Sequence, residues 1–244
     1  MLLMKKAIVG VAVFLLTAFP AFAREVPEQA GDYPEPGRSD MRVRVFVYEQ
    51  KPERPGTATV ESAVCSDPHV NDVVGVTGWR LPTGTWTYRL NPASAPAGIR
   101  TSLGDVASLG FGEWEAYQSA VDFARGADTS VKRQALDFQN VIAWGKTPGN
   151  TLGVTYTRYY TATHEVADVD TIMNSRVKWS WNQCTTDSYD AQAILTHELG
   201  HWMGLDDEYT ASYVDNTMFG YGDRAETKKD TLEAGDVAGV QVIY

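Results

Sequence analysis

The chain has 244 residues, 43% of them hydrophobic, and a formal net charge of −10. That apolar share supports a real buried core, and the length suits one main domain plus an extension. The acidic balance argues against nucleic acid or an anionic membrane as a partner.

Lys5 and Lys6, the apolar run 7–19 and the small-x-small triplet Ala21-Phe22-Ala23 predict an export signal over residues 1–23, with a mature start at Arg24. Loss of the two lysines takes the net charge from −10 to −12. The run is too short for a comfortable membrane span and no other long apolar run follows, so no stable membrane association is expected. The expected location is secreted or extracellular, with the periplasm as the alternative. In an oxidising compartment the two cysteines, Cys65 and Cys184, suggest a disulfide. Its loop of about 120 residues would contribute about 4–5 kcal/mol in the chain-entropy model. Two free thiols, or Cys65 capping a metal, are the competing readings.

Residues 24–40 are rich in Pro, Gly and charge and read as a flexible lead-in. Residues 41–48 (M-R-V-R-V-F-V-Y) alternate like a strand, with Val43, Val45 and Val47 on one face. Two prolines break the pattern within 50–56, and 57–64 is a candidate second strand. The N-terminal part, residues 24–78, is therefore either a removable prosegment or an added hairpin. From Trp79 the pattern is that of a compact domain over 79–244. Strands are predicted at 85–90, 141–144, 154–160 and 169–174. A helix is predicted at 113–125, with Trp114, Tyr117, Val121 and Phe123 as its apolar stripe. Another is predicted at 189–203, capped by Asp190, and a last one at 232–243, capped by Thr231.

The chemistry concentrates in residues 197–207, H-E-L-G-H-W-M-G-L-D-D. On a helix His197 and His201 share one face, one turn apart, where two neutral imidazoles can hold one Zn²⁺. Glu198 stands beside them as a base for a water. Gly204 lets the helix stop, and Asp207 offers a third ligand, leaving a fourth position open as catalytic zinc requires. Two of only four histidines fall in this motif, which makes a chance arrangement of packing residues a poor account of it. Surplus carboxylates could hold Ca²⁺, although there is no D-x-D-x-D-G loop.

This stretch resembles the extended zinc motif of the metzincin metalloproteases, H-E-x-x-H-x-x-G-x-x-H. Residues 215–221, D-N-T-M-F-G-Y, resemble the Met-turn, with Met218 as its methionine. T-W-T-Y-R-L-N-P, V-D-T-I-M-N-S with W-S-W, and the closing T-L-E-A-G-D-V-A-G-V-Q-V-I-Y are similar to segments of matrixin-like enzymes. The resemblance covers 79–244 and implies an α+β fold: a twisted mixed sheet with an active-site helix, a Met-turn and a C-terminal helix. The third ligand departs from the family, since Asp207 stands where most members carry His. A snapalysin-like branch has Asp there, and carboxylate oxygen is an ordinary zinc ligand. Only His69 and His164 remain for a second, structural zinc, so one catalytic zinc is expected, with Ca²⁺ left open. No equivalent of the family's cysteine-containing propeptide motif is present.

The resemblance implies a secreted endopeptidase acting on protein or peptide substrates. His197, His201 and Asp207 would hold the metal, and Glu198 would take a proton from water and pass it to the leaving amine. Met218 would form the floor of the site, and 219–224 would line a substrate side-chain pocket. Two other readings share the motif: a catalytically silent binding module, and a zinc hydrolase of a non-peptide amide. The intact Glu198 speaks against the first, and an open strand-edged cleft would speak against the second.

Overall fold

A computed structural model describes residues 25–52, 71–184 and 187–244. The expected export signal, the candidate strand 57–64, Cys65 and His69 lie outside these residues. Ten strands and four helices lie among the described residues: β1 (Gly31–Pro34), β2 (Met41–Gln50), β3 (Gly84–Leu90), α1 (Ala97–Arg100), α2 (Leu103–Glu115), β4 (Val121–Arg125), β5 (Val141–Gly145), β6 (Thr151–Tyr160), β7 (Val166–Asn174), β8 (Trp179–Ser180), β9 (Tyr189–Asp190), α3 (Ala191–Met203), β10 (Tyr221–Gly222) and α4 (Ala234–Ile243). The main sheet runs β1-β2-β6-β7-β5-β3-β4, with β10 beside β2. β4, β3, β5 and β7 are parallel neighbours, whereas β6 runs antiparallel to both β7 and β2. This is a mixed sheet with helices packed on it, the α+β architecture expected.

The main core lies where α2 and α3 pack on the sheet, around Trp114, Phe111, Leu199, Trp202 and Met173. The Trp114 indole donates to the Thr196 carbonyl at 2.9 Å and pins α2 to α3. A smaller cluster covers the opposite face and joins Val43 and Val45 to Val141, Val154 and Ile172.

Three expectations are corrected. The stretch 113–125 is not a helix: α2 ends at Glu115 and β4 begins at Val121. Between them the Gln118 amide oxygen accepts from the Ala120 and Val121 backbone N–H groups and closes a turn. Val121 and Phe123 then point to one side of a strand, and Tyr117 is exposed. The last helix begins later than expected, capped by Glu233 in a reciprocal box with Asp236. Thr231 instead offers its carbonyl to the Thr217 hydroxyl. The lead-in 24–40 is not structureless, because β1 pairs antiparallel with β2 and Glu35 reaches a buried ion cluster. In that cluster Arg158 meets Glu35, Asp168 and Asp170 at 3.0–3.3 Å. Burial pushes the Asp168 carboxyl up to about 8 and that of Asp170 to about 6.

Candidate active site

α3 is built to deliver its histidines. Asp190 caps it, accepting from the Gln192 and Ala193 N–H groups. Gly204 closes it with φ +100°, a left-handed turn that favours glycine. At Gly200, between the histidines, an added Cβ would lie 2.2 Å from the Met218 sulfur. The motif's glycine is therefore what lets the Met-turn press against the helix.

Each imidazole is oriented from behind. His197 Nδ1 lies 2.7 Å from the Thr217 carbonyl and His201 Nδ1 3.0 Å from that of Leu205. These bonds place the proton on Nδ1 and leave Nε2 as the free lone pair, the tautomer that ligates metal. The Met-turn is held in its turn by buried Asp236, which accepts from the backbone N–H groups of Thr217, Met218 and Glu233.

The chain returns after Gly204 to bring Asp207 over the pair. Its Oδ1 lies 3.2 Å from His197 Nε2 and 3.5 Å from His201 Nε2. All three donor atoms are buried without a hydrogen-bond partner, although their separations are those of an ion pair. Tetrahedral zinc with ligand bonds of about 2.0–2.1 Å sets its donors about 3.3 Å apart. The three atoms thus converge as ligands of one ion would, and they form a metal-sized cluster among the described residues. The neighbouring acids are engaged elsewhere: Asp206 accepts from Arg44 and from the Asp207 N–H, and Glu208 accepts from the Gly75 N–H.

Burial pushes His197 down to about 4, so its imidazole is neutral near pH 7. For His201 burial acts in the same direction, but the adjacent Asp207 carboxylate outweighs it and raises the ring. Burial would raise Asp207, yet the two histidines hold it well below the usual carboxylate range. Burial pushes Glu198 up to about 7. Its Oε1 has no partner, whereas Oε2 accepts from the Thr155 hydroxyl at 2.5 Å. Behind Thr155 stands the Thr171 hydroxyl at 2.7 Å, which accepts from the Trp202 indole at 2.9 Å. Indole N–H can only donate, so the proton order along this chain runs from Trp202 towards Glu198.

The site is covered. His197, Glu198 and His201 have no exposed surface. The Phe46 ring stacks on His201 and the Tyr48 ring on His197, each at 3.8 Å between centroids. Two surface hollows, of about 350 and 400 Å³, have none of His197, Glu198, His201 and Asp207 in their linings, although Tyr209, which lines the larger one, contacts Asp207. Cys184 sits 3.4 Å from the Thr227 hydroxyl. Its expected partner Cys65 is outside the described residues. Phe46, Tyr48, Thr155, Lys229 and Asp236 were not among the residues the sequence singled out. Only Asp236, three residues into the capping box of α4, had a local signal.

Residues 79–244 match the Matrixin family model. Human matrix metalloproteinase-25 (Homo sapiens) is 25% identical over 241 residues, which take in 91% of this chain and 39% of that protein. The chain thus spans about two fifths of that relative's length. With the family match covering well over half of its residues, the chain belongs to the matrixin peptidase family.

Proposed function

We propose that the chain is a secreted zinc-dependent endopeptidase, with residues 1–23 as export signal, 24–78 as an N-terminal extension or prosegment and 79–244 as the catalytic domain. The observation that carries this reading is the convergence of His197 Nε2, His201 Nε2 and Asp207 Oδ1, all buried and unpartnered, beside an unpartnered Glu198 Oε1. Such a set is costly to bury unless something binds it. Zinc held there would acidify a water and polarise a peptide carbonyl. Glu198 Oε1 takes the proton of the attacking water and delivers it to the leaving nitrogen. Thr155 holds the other carboxylate oxygen, so Oε1 is the one left to move the proton. Asp207 serves as third ligand in the manner of the snapalysin-like branch. A Cys65–Cys184 disulfide would tie the N-terminal segment to the loop before α3.

The test is zinc content per chain together with casein cleavage, before and after limited digestion, on wild type and Glu198→Gln. About one zinc in both proteins is expected, with chelator-sensitive cleavage in wild type alone. Removing a general base costs on the order of 10²–10⁴-fold. Cleavage that survives complete removal of metal overturns the reading. One zinc with no cleavage by the digested protein favours a silent scaffold, for which the buried histidines are the motivating observation.

A further inference from the structure

We propose that β2 is an internal occupant of the substrate groove, and that the pocket holding the Tyr48 side chain is the pocket for a tyrosine of an extended peptide substrate, its hydroxyl met by Lys229. The proposal rests on the endopeptidase reading for what happens next to the groove, but the groove and its occupant stand on their own geometry.

β2 lies between two strands of the domain. From Met41 to Tyr48 it pairs antiparallel with β6, and at Glu49 and Gln50 it pairs parallel with β10. The Lys51 N–H continues that contact, donating to the Gly222 carbonyl at 2.9 Å. Main-chain pairing of this kind is how an extended peptide binds a sheet edge, with alternate side chains entering pockets. The alternate side chains here point at the catalytic cluster. Arg44 reaches Asp206 at 3.3 Å, Phe46 covers His201, and Tyr48 covers His197. Nothing the size of a peptide carbonyl can reach the cluster while these two rings lie on the histidines. The covering side chains belong to one strand, so one movement uncovers the site.

Tyr48 is fully buried, and its surroundings have the character of a specificity pocket. Its ring, Leu152 and Ile194 all crowd the position of Gly222, where an added Cβ would lie 2.7–3.1 Å from each. A glycine there leaves room for a large ring. At the far end the Lys229 ammonium donates to the Tyr48 hydroxyl at 2.6 Å, and also to the carbonyls of Phe219 and Tyr221 at 3.0 and 2.8 Å. A buried ammonium is costly unless its donors are matched. The two carbonyls are fixed by the chain and Glu226 balances the charge, which leaves the third hydrogen bond of the ammonium to the occupant. A tyrosine hydroxyl supplies it, and a phenylalanine does not.

The experiment uses the full chain, zinc-loaded, with Phe46→Ala/Tyr48→Ala on a Glu198→Gln background to permit binding without turnover. The probe is a fluorescent decapeptide of the β2 sequence, M-R-V-R-V-F-V-Y-E-Q, with Tyr→Phe and Tyr→Ala versions. The double variant should bind the parent peptide at least tenfold more tightly than the wild-type background does. It should prefer Tyr over Phe by about tenfold, the discrimination a charged hydrogen bond gives, and Lys229→Met should abolish that preference. A second opening variant, Arg42→Ala/Glu35→Ala, acts from the outer edge and leaves both rings in place; it should raise binding in the same direction. Equal binding by wild type and both opened variants overturns the proposal, as does binding with no preference for Tyr over Phe. Casein cleavage by the same variants with Glu198 restored separates the two ideas. Tyrosine-selective binding without cleavage keeps the groove and sinks the endopeptidase, whereas cleavage by the unopened full chain at the opened variants' rate sinks the internal occupant.

Discussion

Among the glycines inside helices, Gly112 and Gly200 should answer the same substitution with opposite sign. Gly112 in α2 has nothing within 4 Å of the place an added Cβ would occupy. Gly112→Ala therefore gains only helix propensity, about 0.8–1.0 kcal/mol. At Gly200 in α3 the added Cβ would lie 2.2 Å from the Met218 sulfur and 2.8 Å from Trp114 Cζ2. A thioether can swing aside. The Trp114 ring cannot, because it is fully buried and its indole is bonded to the Thr196 carbonyl. Overpacking of this sort costs about 1–3 kcal/mol, so after the propensity gain Gly200→Ala should lose up to about 2 kcal/mol. For a chain of this size each kcal/mol moves Tm by about 2–4 °C. Urea unfolding and calorimetry of both variants read the two signs directly. If Gly200→Ala is stabilised as much as Gly112→Ala, close packing of the Met-turn on the helix is not what the glycine serves.

Asp236→Ala removes the acceptor of three backbone N–H groups in the Met-turn and the start of α4. Each buried orphan costs about 1–3 kcal/mol, so a loss of at least about 3 kcal/mol is expected by urea unfolding, together with weaker zinc retention. Asp168 holds its proton up to about pH 8 in the folded protein because of burial. Its contribution to stability is full below its ordinary carboxylate pKa of 3.8 and declines as pH rises through about 8. Asp168→Asn cannot ionise, so its Tm relative to wild type should climb steadily from pH 5 to pH 9; a constant gap would refute this. In the proposed zinc site Asp207→His replaces an anionic ligand by a neutral one and should make the metal a stronger Lewis acid. The acid limb of the pH–rate profile should then move to lower pH, and identical profiles would remove ligand charge from the account.

The helix of the site was legible because its signals are local. An acidic cap, a histidine pair at four-residue spacing and a glycine stop all act within one element, and the structure shows Asp190 capping and Gly204 turning as read. The strands 85–90, 141–144, 154–160 and 169–174 were legible too, extending by one residue in the first two and by three in the others. α2 was not. Gly104, Gly110 and Gly112 dilute its helical propensity, while Trp114, Tyr117 and Val121 happen to fall at helical spacing across its end. Its glycines answer to tertiary packing: a Cβ at Gly110 would lie 3.1 Å from Leu199 and 3.2 Å from the Thr196 hydroxyl. Close approach of α2 to α3 outweighs the propensity lost, and no window of sequence contains both helices.

The same limit hid the cover of the site. In β2 the alternation marks Val43, Val45 and Val47 as one face, and the structure packs the first two against Val154 and Ile172 with Val47 at the margin. An alternating strand normally has a wet second face. Here Phe46 and Tyr48 occupy that second face and are as buried as the valines. Two apolar faces make a strand that belongs inside a sheet, and this one has β6 on one edge and β1, then β10, on the other. Their partners, His201 and His197, lie some 150 residues further along the chain, so nothing near β2 announces them. The adjacency has a consequence for how the protein would be opened. The valine face anchors β2 through apolar contact, the outer edge through the Arg42–Asp32 pair, and the inner face through Tyr48 and Lys229, while Arg158–Glu35 ties the end of β1 to β6. The exposed pair is worth little. The buried pairs are costly to break singly. Release of the strand by salt alone is therefore excluded on energetic grounds, and a cut in the chain that frees β1 and β2 together is the route that leaves the domain's own pairings intact.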